Sequence, residues 1–234
     1  MSEDNEEKED SVQPIGMDVA KIVADWQWRF RTAINSPKHQ KRLLEGQKKA
    51  DKEKQRTLLD RATSRGVPLG EPIRRVVIST NPVATPALLA LRKALMGRTS
   101  GVPLIVLLAG SVGVGKTSAL ARVVALHALS AAYVRASDYC SAAGNWRRES
   151  IEQLAKSVDL LAIDELGAEG SPRAIVELLV QRFDEGKATI LAGNLDSDVV
   201  GERYYDRAID SRVTREQRTP WLIEVAGEDL RGKQ

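Results

Sequence analysis

The stretch that decides the fold is Gly110-Ser111-Val112-Gly113-Val114-Gly115-Lys116-Thr117. Two glycines separated by four residues and followed by Lys and Thr form the pattern of a phosphate-binding loop. Residues 102–109 before it are an apolar run of buried-strand length, and residues 118–129 after it carry apolar side chains at helical spacing. The sequence therefore predicts a strand, a glycine-rich turn and a helix, which is the context that this pattern requires.

The chemistry of this loop favours a bound anion. Glycines allow backbone N–H groups to converge on an anion, and the N-terminus of the following helix adds partial positive charge. The Lys116 ammonium would oppose the helix dipole unless an anion lay beside it, and the Thr117 hydroxyl suits Mg²⁺. A chance glycine-rich turn is the alternative. We expect ATP to contact the loop and the first residues of its helix, namely Gly110, Ser111, Val112, Gly113, Val114, Gly115, Lys116, Thr117 and Ser118.

A pair of carboxylates ends a second apolar run. Residues 160–163 are consecutive apolar residues, and Asp164 and Glu165 follow them directly. Such a run is typical of a buried parallel strand, and ligands bind at the carboxyl end of such strands. We expect Asp164 to belong to the Mg²⁺ shell and Glu165 to orient and polarise the attacking water. An acidic start to a loop is the plainer alternative.

Asn194 follows the apolar run of residues 188–193 in the same way. Its amide would suit a contact with the γ-phosphate or with the attacking water, although asparagine is also common in simple turns. Residues 131–136 and 221–226 add two more candidate strands, and residues 149–156 have helical character. The chain thus carries five candidate strands that alternate with helices.

Composition sets limits on the class of protein. The chain has 234 residues, of which 42% are hydrophobic, and one cysteine, Cys140. The hydrophobic content is enough for a core. A single cysteine excludes an internal disulfide framework and leads us to expect a cytoplasmic protein. No apolar stretch reaches the length of a membrane helix, so we expect no membrane partner. The net charge is +3, but residues 1–10 hold six acidic residues and one basic residue, which leaves +8 on the remaining chain. This charge is compatible with nucleic acid without requiring it.

The N-terminal part of the chain differs from the rest. Residues 1–14 are highly charged and almost free of large apolar side chains, so we expect a disordered acidic tail. Over residues 15–65 we expect a small helical module that binds a partner, because apolar residues including Trp26 and Phe30 recur on one helical stripe. Residues 21–61 carry twelve Lys or Arg against five Asp or Glu. A solvated helix face is the alternative to a surface that docks protein or nucleic acid.

Turn-forming residues place the boundary of this module. The pairs Ser36-Pro37 and Thr85-Pro86 each predict the start of a helix. Residues 65–72 are rich in Gly and Pro, so we place the boundary there and assign residues 66–234 to the main domain. Residues 75–79 are predicted to form a short strand or an extended segment.

The order of these elements predicts the fold class. Five strands alternating with helices describe a P-loop α/β protein, with a five-stranded parallel sheet in a three-layer α/β/α arrangement. Asn194 after the fourth strand, followed by separated arginines, favours the AAA+ type. The sequence resembles the DnaC/IstB group of AAA+ ATPases, which comprises bacterial and phage helicase loaders and transposition helper ATPases. The resemblance covers roughly residues 100–232 and is carried by residues 160–167, 181–183, 188–195, 210–213 and 227–231.

The resemblance implies roles for three residues. Asn194 resembles the sensor 1 asparagine, Arg212 the arginine finger and Arg231 the sensor 2 arginine. An arginine finger completes the ATP site of a neighbouring subunit, which implies self-assembly into a ring or an open helical filament. Arg207 and Arg215 lie near enough in sequence to hold that role instead, and a surface ion pair is the plainer interpretation of Arg212.

The chain departs from the family at two places. Ala192-Gly193 stand where the family often has hydroxyl side chains before the sensor asparagine. The segment between the second strand and Asp164 is also short, and in these loaders that region carries the elements that face single-stranded DNA. The contact with DNA is therefore the part of the resemblance with the least support from these residues.

The function implied by the resemblance is that of an ATP-dependent helicase loader in the initiation of DNA replication. The N-terminal module would bind a replicative helicase of the DnaB kind, and the ATP-bound body would contact single-stranded DNA. One alternative is a transposition helper that partners a transposase on double-stranded DNA. Another is an ATP-gated switch with little turnover, although Glu165 argues against it. A small-molecule kinase would leave the sensor and finger arginines unexplained.

Overall fold

A computed structural model of the protein describes residues 23, 24, 26–29, 36–79, 84–96, 101–143, 149–204, 209, 222–227 and 229. The acidic tail of residues 1–14, Phe30, and all the arginines considered above as finger or sensor 2 lie outside these residues. The chain divides into two compact units, Met1–Lys52 and Glu53–Gln234. Within the described residues, every helix is too short or too polar to cross a membrane.

The second unit is built on one parallel sheet of five strands in the order β2-β3-β4-β1-β5. The fold class and the five predicted strands are confirmed. The strands are β1 (Leu104–Ala109), β2 (Ala131–Arg135), β3 (Leu160–Leu166), β4 (Ala188–Gly193) and β5 (Leu222–Glu224). Strand β4 lies between β1 and β3. Because the strands are parallel, the residues that follow these three strands lie next to one another along one edge of the sheet.

Side chains alternate between the two faces of the sheet along each strand, and each face is covered by its own hydrophobic core. On one face, Val106, Leu108 and Ala162 belong to a cluster that packs against helices α2 (Glu71–Ile78), α3 (Pro86–Leu95) and α4 (Lys116–Leu126). On the other face, Leu107 and Ile163 belong to a cluster that packs against α5 (Ala136–Ala142), α6 (Glu149–Ser157), α7 (Arg173–Asp184) and α8 (Ser197–Tyr204). The sheet is therefore the middle of three layers, as predicted, because side chains of successive strand residues point to opposite faces.

The prediction for residues 75–79 is wrong, because residues 71–78 form helix α2. The run Val76-Val77-Ile78 has strand propensity, but Pro72 in the first turn favours a helix start, and Val77 is fully buried against the core. Arg122 of α4 donates hydrogen bonds to the carbonyl oxygens of Val76 (3.1 Å) and Val77. Tertiary packing and these bonds to the helix end override the local preference.

Helix α1 (Pro37–Ser64) begins at the predicted Ser36-Pro37 pair, where the His39 N–H donates to the Ser36 hydroxyl at 3.3 Å. Its last turns belong to the second unit, because Leu58 and Ala62 are buried in the first core cluster. The helical module of residues 15–65 stays a prediction, but residues 53–64 pack with the main domain. In the first unit, Trp26 and Trp28 are helical and 63% and 65% exposed.

Candidate nucleotide-binding site

The glycine-rich loop joins β1 to α4 at the carboxyl edge of the sheet. Gly110, Gly113 and Gly115 have positive φ angles of 140°, 87° and 85°. A Cβ atom on Gly110 would collide with the carbonyl oxygen of Val225, which follows β5. The pattern of glycines thus follows from backbone conformation and close approach, which only glycine permits here.

Lys116 links the loop to the end of β4. Its buried ammonium donates to the carbonyl oxygens of Gly110 (2.8 Å) and Ser111 (2.6 Å) and to Asn194 Oδ1 (2.9 Å). The register explains the last contact, because Ala109 of β1 pairs with Gly193 of β4 and the next residues lie at the same edge. The structure therefore brings two predicted site residues together across 78 positions of sequence.

The acidic pair lies on a bulge in β3. Ile163 pairs with Leu191 of β4 and Leu166 pairs with Gly193, so β3 contains one residue more than β4 between these pairs. Glu165 takes up the extra length with a φ of 59°, the only positive φ of a non-glycine residue within the described ranges. A bulge changes the face to which the following side chains point, so Leu166 packs in the same core cluster as Ile163 while Glu165 stays half-exposed. The left-handed conformation costs a glutamate about 1 kcal/mol, and such strain concentrates at functional sites.

The Asp164 carboxylate is buried and held at both oxygens. The Tyr133 hydroxyl donates to Oδ2 at 2.6 Å, and the Glu165 N–H donates to Oδ1 at 2.9 Å. Burial, and then the charge of Asp164, raise the pKa of Tyr133 well above its usual value, so its hydroxyl keeps the proton that it donates. Asp164 lies on the same face of the sheet as Ala162, and this is the face that packs on α4.

Two residues of the site were not found from the sequence, Tyr133 and Arg135. Arg135 ends β2, and its Nε lies 3.7 Å from Glu165 Oε2, with both side chains about half-exposed. An ion pair so exposed contributes little stability, but it restrains the direction of the Glu165 side chain. The sequence gives no sign of either residue, because both contacts arise only when β2 pairs with β3.

The loop after the acidic pair is fixed by a buried carboxylate, Glu169. Its Oε2 accepts from the Gly167 N–H at 2.8 Å, and its Oε1 accepts from Arg203 at 3.1 Å and from the Tyr204 hydroxyl. Burial, and then the hydrogen bond to Glu169, raise the pKa of Tyr204. Arg203, in the last turn of α8, therefore anchors this helix to the loop that follows Glu165.

Described residues that follow β5 lie close to the phosphate loop. A Cβ atom on Gly113 would collide with the carboxylate of Asp229, and one on Gly227 would lie within van der Waals distance of the Pro86 and Val114 side chains. The Thr85 side chain, which caps α3 through the Leu88 N–H, also lies close to the loop, because a Cβ atom on Gly115 would be 3.1 Å from it. Two segments distant in sequence therefore pack beside the loop. The roles of Arg212 and Arg231 stay predictions, because both lie outside the described residues.

The residues at this edge fit a Mg²⁺ ion held together with a nucleotide. Proteins usually bind Mg²⁺ through one or two carboxylates, with phosphates and water supplying the other ligands. Asp164 offers one oriented carboxylate, and Thr117 offers a hydroxyl in the first turn of α4. No group of three or more His, Cys, Asp or Glu residues suited to a metal ion occurs in the part of the chain that the structure describes. The donors present therefore suit a magnesium ion that shares its ligands with a nucleotide.

Comparison with known proteins gives matches in structure alone. No protein-family model matches the sequence, and no curated relative matches it. The crystal structure of DnaI matches with a TM-score of 0.51 and 22% identity, over 70% of this chain and 94% of that one. A putative primosome component from Streptococcus pyogenes serotype M3 matches with a TM-score of 0.50 and 19% identity, over 70% and 92%. The chain shares its fold with DnaI.

Two further structures match with TM-scores just below 0.5. The DnaC helicase loader matches with a TM-score of 0.49 and 18% identity, over 67% of this chain and all of that one. The match to AMPPCP-bound DnaA from Aquifex aeolicus spans only half of that protein. The predicted resemblance is confirmed as a likeness of fold, which rests on DnaI and the putative primosome component.

Proposed function

We propose that this protein is an AAA+ ATPase that loads a replicative helicase onto single-stranded DNA when replication begins. The observation that carries the proposal is the contact between Lys116 of the phosphate loop and Asn194, at the sheet edge where Asp164 and Glu165 lie near the end of β3. These are the parts that ATP hydrolysis requires, and they occur in a fold shared with DnaI. The strained backbone of Glu165 favours an enzyme over a switch with little turnover.

Each residue of the site has a chemical task in this proposal. The backbone N–H groups of the loop and the Lys116 ammonium bind the β- and γ-phosphates, and Asn194 contacts the γ-phosphate or the attacking water. Thr117 and Asp164 hold Mg²⁺, which when bound neutralises charge on the phosphate oxygens. Glu165, half-exposed at the edge, accepts a hydrogen bond from the attacking water and polarises it.

Assembly would complete the site. In this proposal Arg212 reaches the ATP of a neighbouring subunit and Arg231 contacts ATP within its own subunit, as the resemblance implies. An arginine finger stabilises the charge of the transition state. A contact of this head-to-tail kind produces a ring if the rotation closes and a helical filament if it does not.

The N-terminal unit would bind the helicase, which we propose to be of the DnaB kind. Trp26 and Trp28 expose large aromatic surfaces, and Leu43 and Leu44 of α1 are each about half-exposed. Exposed aromatic side chains are typical anchors of protein interfaces, since they bury a large apolar area with little loss of side-chain entropy. The contact with single-stranded DNA is assigned to the main domain, in keeping with the resemblance.

The proposal is tested by measuring delivery of the helicase. The replicative helicase of the same host is incubated with circular single-stranded DNA, ATP and this protein, and the helicase retained on DNA is measured after gel filtration. We expect retention that needs both this protein and ATP and that Lys116→Ala abolishes. Equal retention without this protein would contradict the proposal, and a preference for double-stranded DNA and a transposase would favour the transposition helper.

A further inference from the structure

The hydrogen bond between Tyr133 and Asp164 assigns Tyr133 a task in the proposed reaction. We propose that the Tyr133 hydroxyl is a positioning group, which holds the Asp164 carboxylate in the orientation that binds Mg²⁺ together with ATP. This inference rests on the proposed nucleotide site. It names a residue that does not touch the nucleotide and acts only through Asp164.

The first support is the geometry at Asp164. A carboxylate carries about four lone pairs and rotates freely about its last bond unless it is bound on both oxygens. Here the Tyr133 hydroxyl takes one position on Oδ2 at 2.6 Å, and the Glu165 N–H takes one on Oδ1 at 2.9 Å. The carboxylate plane is therefore set, and each oxygen keeps a lone pair for a cation or its water. Without the hydroxyl, Oδ2 would be buried beside an apolar ring.

The second support is that Tyr133 is itself held rigidly. It lies on β2, an edge strand of the described sheet, and its N–H donates to the Arg65 carbonyl oxygen at 2.7 Å. Gly66 packs so closely on the same edge that a Cβ atom there would lie 2.7 Å from the backbone carbonyl oxygen of Tyr133. The two residues that follow α1 thus close the open edge of the sheet at this position.

Arg65 also ties this edge to the helix of the phosphate loop. Its guanidinium donates to the carbonyl oxygens of Val124 (2.5 Å), His127 (2.9 Å) and Leu129 (2.9 Å) at the end of α4. Helix α4 begins with Lys116 and Thr117, so one frame holds both sides of the proposed magnesium site. Tyr133 extends that frame by one hydrogen bond to Asp164.

The test compares nucleotide affinity with and without Mg²⁺. A fluorescent ATP analogue is titrated into wild-type protein, Tyr133→Phe and Tyr139→Phe, once with excess Mg²⁺ and once with EDTA. The gain in affinity from Mg²⁺ is the ratio of the two dissociation constants within one variant, so a general loss of stability cancels. Tyr139 is the matched control, because it is a buried tyrosine on the opposite face of the sheet.

We expect Tyr133→Phe to lower the gain from Mg²⁺ by about tenfold, the effect of one hydrogen bond to a charged group, with the affinity in EDTA nearly unchanged. Tyr139→Phe should keep the wild-type gain. A folded Tyr133→Phe protein with the wild-type gain overturns the assignment of Tyr133 alone. Absence of nucleotide binding by the wild-type protein would instead overturn the proposed function.

A second measurement serves if Tyr133→Phe does not fold. Wild-type protein is labelled with ¹³C at the tyrosine Cζ atoms. The other tyrosines are replaced by Phe one at a time, and the resonance that remains in every variant is that of Tyr133. Adding Mg²⁺ to the complex with a non-hydrolysable ATP analogue should shift the Tyr133 resonance and leave that of Tyr139 in place. An unshifted Tyr133 resonance in that complex would contradict the proposal.

Discussion

At the scale of single residues, the site depends on the bulge that separates Asp164 from Glu165. Asp164 is buried and bound at both oxygens, whereas Glu165 is half-exposed in a left-handed conformation. Neighbouring carboxylates thus have different surroundings. The buried one suits a cation that stays in place, and the exposed one suits a water molecule that reacts.

This difference leads to the first prediction. Glu165→Gln should bind ATP with nearly wild-type affinity but hydrolyse it about 10² to 10⁴ times more slowly, because an amide keeps the shape but cannot polarise water as a carboxylate does. The hydrolysis rate is measured as steady-state release of phosphate, and the affinity is measured by titration with a fluorescent ATP analogue. Glu177→Gln, on the exposed face of α7, is the control. A wild-type rate for Glu165→Gln would remove Glu165 from the mechanism.

Arg182 belongs to the residues that carry the family resemblance, yet its surroundings show a structural task. It is fully buried and donates hydrogen bonds to the Thr189 hydroxyl and to five carbonyl oxygens, those of Ala155, Lys156, Val158, Asp159 and Ala188. Arg182→Met should destabilise the protein by about 3–5 kcal/mol, since buried acceptors lose their donor. Urea unfolding measures this, with Arg182→Lys expected to lose less. A loss under about 1 kcal/mol would show that the network contributes little.

A site residue could be predicted where the pattern that marks it lies within a few residues of the sequence. Lys116, Thr117 and Asp164 were predicted because glycine spacing and an apolar run ending in acids are readable within a few residues. Tyr133 and Arg135 were not predicted, because their contacts depend on the pairing of β2 with β3. The bulge was not predicted either, since no residue type requires a left-handed Glu165.

Among the secondary-structure elements, the strands were predicted and some helices were not. Buried parallel strands are continuous apolar runs, so their existence is readable, but their order depends on long connections. The run Val76-Val77-Ile78 suggested an extended segment, and burial against α4 made it a helix. Helix α5 was missed because it is only seven residues long and starts directly after β2.

Helix α1 provides a prediction at this scale. Leu58, Ala62 and Arg65 contact the main domain, so a chain of residues 53–234 should fold and bind ATP, whereas one of residues 66–234 should lose about 3 kcal/mol or more of stability. Thermal unfolding, monitored by circular dichroism, compares the stability of the two chains. Both should fail to bind the helicase. Equal stability of the two chains would mean that the end of α1 adds nothing to the domain.

For the whole molecule, the proposed arginine finger predicts that subunits complement one another. Lys116→Ala should not bind ATP but should still offer Arg212, and Arg212→Ala should bind ATP but offer no finger. Mixed together, the two inactive proteins should regain part of the ATPase activity, and more so under conditions that promote assembly. A finger contributes about 10³ to 10⁵ in rate, so a small complemented fraction is measurable.

The controls for this mixture are the two neighbouring arginines. Arg207→Ala and Arg215→Ala, each mixed with Lys116→Ala, show which arginine holds the role. Light scattering establishes that the mutants assemble. No recovery at any ratio in an assembled mixture would place Arg212 within its own subunit or assign it a structural task.

The central claim is that the loop of residues 110–117 binds ATP, and affinity for a fluorescent ATP analogue in Mg²⁺ tests it most directly. Lys116→Ala removes a buried ammonium beside the loop carbonyls, and Lys93→Ala removes an exposed one at the end of α3. We predict that Lys116→Ala weakens binding about a hundredfold or more, through the loss of charged hydrogen bonds to phosphate, and that Lys93→Ala leaves it unchanged. Equal affinity of the wild-type protein and Lys116→Ala would contradict the account.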